Sequence, residues 1–156
     1  MFGQKYYSDC INYKRLYLAL KRTGGKANSR DHSNGYSNKR NVIKISLQNH
    51  PQTPWLDWIE QGIKKYEGRL NRGTFKSLRV NDEIIWYDRR SGKEIRTKII
   101  ELKYYPDFVK AYEELGSVLI PIANINNEMV KKLYNNYFLD RDIEMNGVVA
   151  IGLEVL

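Results

Sequence analysis

Two segments in the middle of this chain leave little freedom in how it can fold. Glu83-Ile84-Ile85-Trp86-Tyr87 and the stretch from Glu94 to Tyr104 are rich in β-branched and aromatic residues. Between them lies Asp88-Arg89-Arg90-Ser91-Gly92, a run of turn formers. Two such strands joined by a short turn pair antiparallel, as a hairpin. A lone hairpin is marginal in water, so other strands must extend it and cover it. Three segments qualify: Val42-Ile43-Lys44-Ile45-Ser46-Leu47, which alternates and is β-branched; the extended stretch from Lys65 to Leu70; and Gly147 to Val155, an apolar run suited to burial on both faces.

Short helices are predicted between these strands. Thr53-Pro54-Trp55 reads as an N-cap followed by proline at the first helical position, and the helix then runs through Trp58, Ile59 and Gln61 to a stop at Gly62. Asp107 to Leu115 follows Pro106 as a second helix. Ile125 to Phe138 is a third, with Met129, Val130, Leu133 and Tyr137 on one face. Strands and helices do not alternate as in a doubly wound fold. The pattern therefore predicts an α+β domain: a small mixed sheet of five to six strands curled into a barrel, with short peripheral helices.

This domain is expected to occupy residues 42–156. Ahead of it, Ser8 to Arg22 reads as a helix with Cys10, Tyr13, Tyr17 and Leu20 on one stripe. From Lys26 to Asn41 the chain turns to Asn, Ser, Gly and basic residues, the composition of a linker. Residues 1–41 thus form a basic N-terminal extension, with nine Lys/Arg against two acids. Residues 42–103 carry thirteen Lys/Arg and eight acids, and residues 104–156 carry four and eight, so a basic front meets an acidic back. The whole chain has a net charge of +8, and such an asymmetry suits a polyanion such as nucleic acid, held in part by counterion release.

Several classes of function are excluded by what the sequence lacks. There is no glycine-rich phosphate loop, no GxSxG elbow and no HExxH pair. One cysteine and two histidines cannot furnish an ordinary structural zinc site, so no metal site is expected. The longest apolar run, Val118 to Ala123, is far shorter than the ~20 residues that span a bilayer. The first residues show no apolar secretory core. An intracellular, cytoplasmic location is the expectation. His32 and His50 both fall in loops and are read as exposed.

The segment richest in chemistry is Trp58 to Leu70. A helix stops at Gly62, and Lys64, Glu67 and Arg69 follow at once. On an extended chain Glu67 and Arg69 point to the same side, while Lys64 at the corner can reach back towards the helix end. An ion pair that merely holds the corner would look the same in sequence.

Gly62-x-Lys64-x-x-Glu67-x-Arg69 resembles the GxKxxExR motif of the ASCH domain family, small β-barrel domains related to PUA. Flanking segments resemble the family in the same order: the strand Ile43 to Leu47, the Pro-Trp-initiated helix, Leu78-Arg79-Val80-Asn81-Asp82-Glu83-Ile84-Ile85 with Asn81 where glycine is usual, Tyr104-Tyr105-Pro106-Asp107-Phe108, and Gly147 to Ile151. The resemblance spans about residues 42–156. It implies a domain that binds single-stranded RNA or a nucleotide in a cleft lined by the motif residues.

Under that reading Lys64, Lys65, Arg69, Arg72, Lys76 and Arg79 contact RNA, with Arg89 and Arg90 extending the rim. Tyr66, Trp86 and Tyr104 are the aromatics near the cleft, although Trp86 lies in an apolar strand suited to the core and Tyr104 fits either place. The family also contains ribonucleases. In a chain of that kind Glu67 would accept a proton, Lys64 or Arg69 would stabilise phosphorane charge, and Tyr66 would be the weaker candidate acid. Other members are N4-acetylcytidine amidohydrolases with threonine as nucleophile at the place of Glu67, which this chain lacks. A non-catalytic adaptor role is the remaining alternative. No cofactor is expected; a divalent cation and the oligomeric state are left open.

Overall fold

The computed structural model describes residues 40–156. The helix expected over Ser8 to Arg22 and nearly all of the linker, with Cys10 and His32, lie outside them. Five strands, β1 (Val42–Ser46), β2 (Tyr66–Leu70), β3 (Glu83–Tyr87), β4 (Glu94–Tyr105) and β5 (Val148–Val155), make a single sheet in the order β1-β3-β4-β5-β2. The sheet curls into a half-barrel with short helices packed against it, the α+β architecture the pattern predicts. β1 runs parallel to β3; the other neighbours are antiparallel. β5 takes an interior position, between β4 and β2, because its first six residues are all buried, and no charge interrupts them before Glu154.

One irregularity decides which side chains look into the half-barrel. On β4, Ile95, Thr97 and Ile99 are buried, and the register with β5 then slips between Ile99 and Glu101. Ile100, the extra residue of this bulge, is turned outward and half exposed. Beyond it the alternation is reversed. Leu102 lies opposite Ile151 and Tyr104 opposite Val149, on the face that Glu67 and Arg69 occupy from the other side of β5.

The core gathers Trp86, Ile84, Ile99 and Ile151 from the sheet, all wholly buried. Trp86 is a core residue, and its indole N–H is satisfied by Thr97 Oγ1 at 2.9 Å. Helix α1 (Trp55–Glu60) adds Trp55, Leu56 and Ile59. Its start differs from the sequence expectation. Pro54, not Thr53, occupies the cap position and makes no side-chain cap bond. Asn49 performs that task from the preceding loop, its Oδ1 accepting from the N–H groups of Leu56 (2.9 Å) and Asp57 (3.3 Å).

Helix α2 (Phe108–Leu115) is capped by Asp107, whose carboxylate accepts from the Lys110 N–H. Helix α3 spans only Asn127–Asn135, within the longer range expected. Its buried residues are Val130 and Tyr134, while Met129 and Tyr137 are exposed, so the inward face is rotated from the expected one. The pair at i and i+4 is selected by Phe108, on which the Tyr134 ring stacks at 3.7 Å. Helix α4 (Asp140–Asn146) buries only Ile143, too little periodicity to be read in advance. His50 is half-buried in its loop, not exposed, and burial lowers its pKa from 6.5, with Arg90 adding to the effect. Among the described residues no helix is long and apolar enough to cross a membrane.

Gly147 joins α4 to β5 with a φ of +67°, and a Cβ there would stand 3.0 Å from the Tyr105 carbonyl oxygen. Gly147→Ala should therefore lower stability by about 1–3 kcal/mol, read as a reduced urea midpoint at unchanged m-value.

Candidate functional site

Lys64 follows the glycine that ends α1. Gly62 has a φ of +71°, and the backbone N–H groups of both Ile63 and Lys64 donate to the Trp58 carbonyl. This tight corner turns the chain directly into β2, where Lys65 donates its backbone N–H to the Val118 carbonyl. Strand alternation then sets Glu67 and Arg69 on one face and Tyr66 and Gly68 on the other.

The three motif side chains meet. Glu67 lies between two cations: its Oε1 accepts from Arg69 Nη1, and its Oε2 lies 3.3 Å from Lys64 Nζ. That second contact is an ion pair without the alignment of a full hydrogen bond. Lys64 donates instead to the carbonyl of Leu119, and its ammonium sits 5.0 Å from the centre of the Trp55 ring. Only 2% of Lys64 and 4% of Glu67 is exposed. Burial holds the Lys64 pKa below the usual lysine range, with Glu67 pulling it back up and Arg69 pushing it down. Arg69 is the member that reaches the surface, with 17% of its side chain open and its guanidinium 5.8 and 5.7 Å from the centres of the Phe75 and Trp86 rings.

The other candidates are more scattered. Tyr66 donates its hydroxyl to Glu101, away from the trio, and this bond followed by burial raises its pKa. Lys65 is exposed beside a shallow hollow of about 410 Å³ walled by Ile59, Gly62, Ile100 and Leu153. Arg72 is exposed and paired with Asp142 at 3.4 Å, while Lys76 and Arg79 are exposed on the turn between β2 and β3. Tyr104 is 58% exposed on the rim of the sheet. It shares a face and a register row with Val149 and Arg69, about 10 Å from Arg69 at two strand spacings.

Sequence spacing missed the partners that make the site: Leu119 by its backbone oxygen, and Trp55 and Phe75 by their rings. Phe75 had one available signal, an aromatic residue in an otherwise polar turn. Among the described residues no group of three or more His, Cys, Asp or Glu side chains is placed to hold a metal ion.

Removing one member of a buried pair leaves the other charge uncompensated. Lys64→Met should cost about 3–5 kcal/mol in chemical denaturation, and adding Glu67→Gln should recover a substantial part of it. The unfolded chain keeps the Lys64 proton to higher pH than the fold does. The contribution of Lys64 to stability therefore rises with pH between its lowered folded pKa and 10.5, and Lys64→Met should abolish that rise.

The ASCH domain profile matches residues 50–156. The crystal structure of the hypothetical protein PH0355 is similar at 26% identity and a TM-score of 0.64, covering 74% of this chain and 99% of its own. The solution structure of PF0455 from Pyrococcus furiosus is similar at 24% identity and a TM-score of 0.59, covering 74% of this chain and 97% of its own. An ASCH structure from Zymomonas mobilis shares the fold at 19% identity and a TM-score of 0.51, covering 74% of this chain and 68% of its own. No curated protein matches the chain.

Proposed function

The chain belongs to the ASCH domain family, a family generally thought to bind RNA, and on that premise we propose that it recognises single-stranded RNA along the rim that carries Arg69 and Tyr104. The observation that supports this most is the state of Arg69. Its guanidinium is tethered by Glu67 and lies within 6 Å of two aromatic rings, yet part of the side chain stays open to solvent. A cation fixed in this way loses little side-chain entropy when it meets a phosphate. Tyr104, on the same face, offers a ring on which a base can stack.

Lys64 and Glu67 position Arg69 in this reading and do not themselves meet the RNA. Lys65, Lys76 and Arg79 are exposed and add more dispersed phosphate contacts. Arg72 joins them at the expense of its pair with Asp142. Recognition is favoured over strand cleavage because the Glu67 carboxylate is buried between Lys64 and Arg69, leaving it poorly placed to accept a proton.

Anisotropy titrations with a labelled single-stranded RNA test the proposal. Arg69→Gln should weaken binding and make the dependence of log K on log salt shallower by about 0.7, the loss of one phosphate contact to a single strand. Tyr104→Ala should cost about 1–3 kcal/mol of binding with little change in that slope. Binding equal to wild type in the double variant would show that this rim is not the RNA surface.

A further inference from the structure

The turn that follows β2 is strongly basic. Residues 71–80 contain Arg72, Lys76 and Arg79, all exposed, and no acid. The short 3-10 helix within it, Gly73–Ser77, has no side-chain cap bond and no fully buried residue. Between the buried residues Leu70 and Leu78, one apolar side chain packs on the core, and that is Phe75. Its ring centre lies 5.8 Å from the Arg69 guanidinium, within range of a cation–ring attraction. Arg69 is the fixed partner in this contact, because β5 pairs with its backbone and Glu67 binds its side chain. Arg72 and Lys76 travel with Phe75. The Arg72 carbonyl accepts the Phe75 N–H at 3.1 Å, and Lys76 is the next residue. Arg72 has a further tether in its half-exposed pair with Asp142. Arg79 is held separately, by the buried Leu78 before it and by its own N–H on Asp82 Oδ2 at 2.9 Å.

We propose that Phe75 is a positioning residue for RNA recognition: docked on Arg69, it keeps Arg72 and Lys76 within reach of the RNA strand held at Arg69. The inference rests on the RNA reading above. Phe75 does not itself meet the RNA. An uncharged ring thereby sets an electrostatic quantity, the number of phosphates engaged, which is what the salt dependence of binding counts. Trp86, the other ring near Arg69, is wholly buried in the core and carries no cation on its own strand.

The test is a salt series of anisotropy titrations of the full chain with a labelled single-stranded RNA. Phe75→Leu should weaken binding about fivefold, the scale of one cation–ring contact. Although no charge is removed, the dependence of log K on log salt should become shallower by about 0.7–1.4, the loss of one or two phosphate contacts. Lys76→Gln should add little in the Phe75→Leu background, because the contact it removes is already lost, whereas Arg79→Gln should keep its full effect there. Replacing Phe75 by trifluorophenylalanine keeps the shape of the ring and weakens its negative face. The slope should shift in the same direction, a readout that does not depend on Phe75→Leu staying folded. An unchanged slope in both proteins, or full additivity of Phe75→Leu with Lys76→Gln, overturns the assignment and leaves the RNA reading standing. If the wild-type chain shows no RNA affinity, or Arg69→Gln changes nothing, the RNA reading itself fails and this inference goes with it.

Discussion

A single desolvated carboxylate organises this half of the molecule. Glu67 has lost nearly all contact with water and is compensated by Lys64 on one oxygen and Arg69 on the other. The cost of burying a lone carboxylate is large enough that neither cation can be elsewhere in the native state. Lys64 needs its own compensation, which the Leu119 carbonyl and the Trp55 ring provide. The demand therefore spreads outward from β2 to the loop before α3 and to α1. Two successive segments, α1 and β2, and a loop some 55 residues further along are fixed by one charge balance.

The sheet supplies the precision that such a balance requires. β2 is an edge strand, but it pairs along its whole length with β5, whose first six residues are all buried. Side chains on a strand anchored in this way keep their direction, and the face shared by Glu67 and Arg69 is set by backbone pairing, not by the charges. Gly68, between them, lets Phe108 and Tyr134 come within contact distance of the strand from its other side. The motif is thus supported from both faces. Surface pairs elsewhere, such as Lys110 with Glu113 or Lys132 with Glu128, are exposed and contribute little by comparison.

Most of the net charge lies outside this arrangement. Residues 42–156 carry seventeen Lys/Arg against sixteen acids, a net of +1, while residues 1–41 carry a net of +7. Many cations of the domain are also engaged by carboxylates, as Lys93 is by Asp57 and Glu60, or Arg96 by Glu83. In the RNA reading proposed above, contacts to a polyanion come from a few fixed cations and from aromatic surface, not from a general positive field. Arg69 and Tyr104 meet that description, and the charge count alone would not have singled them out.

The sequence alone determined the elements whose signals are local. The hairpin of β3 and β4 follows from β-branched residues around a polar turn, β5 from its apolar run, and the corner at Gly62 from a glycine after an apolar helix. The spacing of Glu67 and Arg69 placed them on one side because strand alternation is a property of the backbone. Only the tertiary structure decided what those side chains would meet. The bulge at Ile100 reverses the facing of Tyr104, and it is fixed by register with β5. The Asn49 cap, the Leu119 carbonyl under Lys64 and the choice of Tyr134 over Tyr137 as the inward residue of α3 arise from segments brought together by packing. The Asn49 cap bridges a loop to the helix after it and the Leu119 contact joins residues 55 positions apart, and neither leaves a periodic pattern in the local sequence.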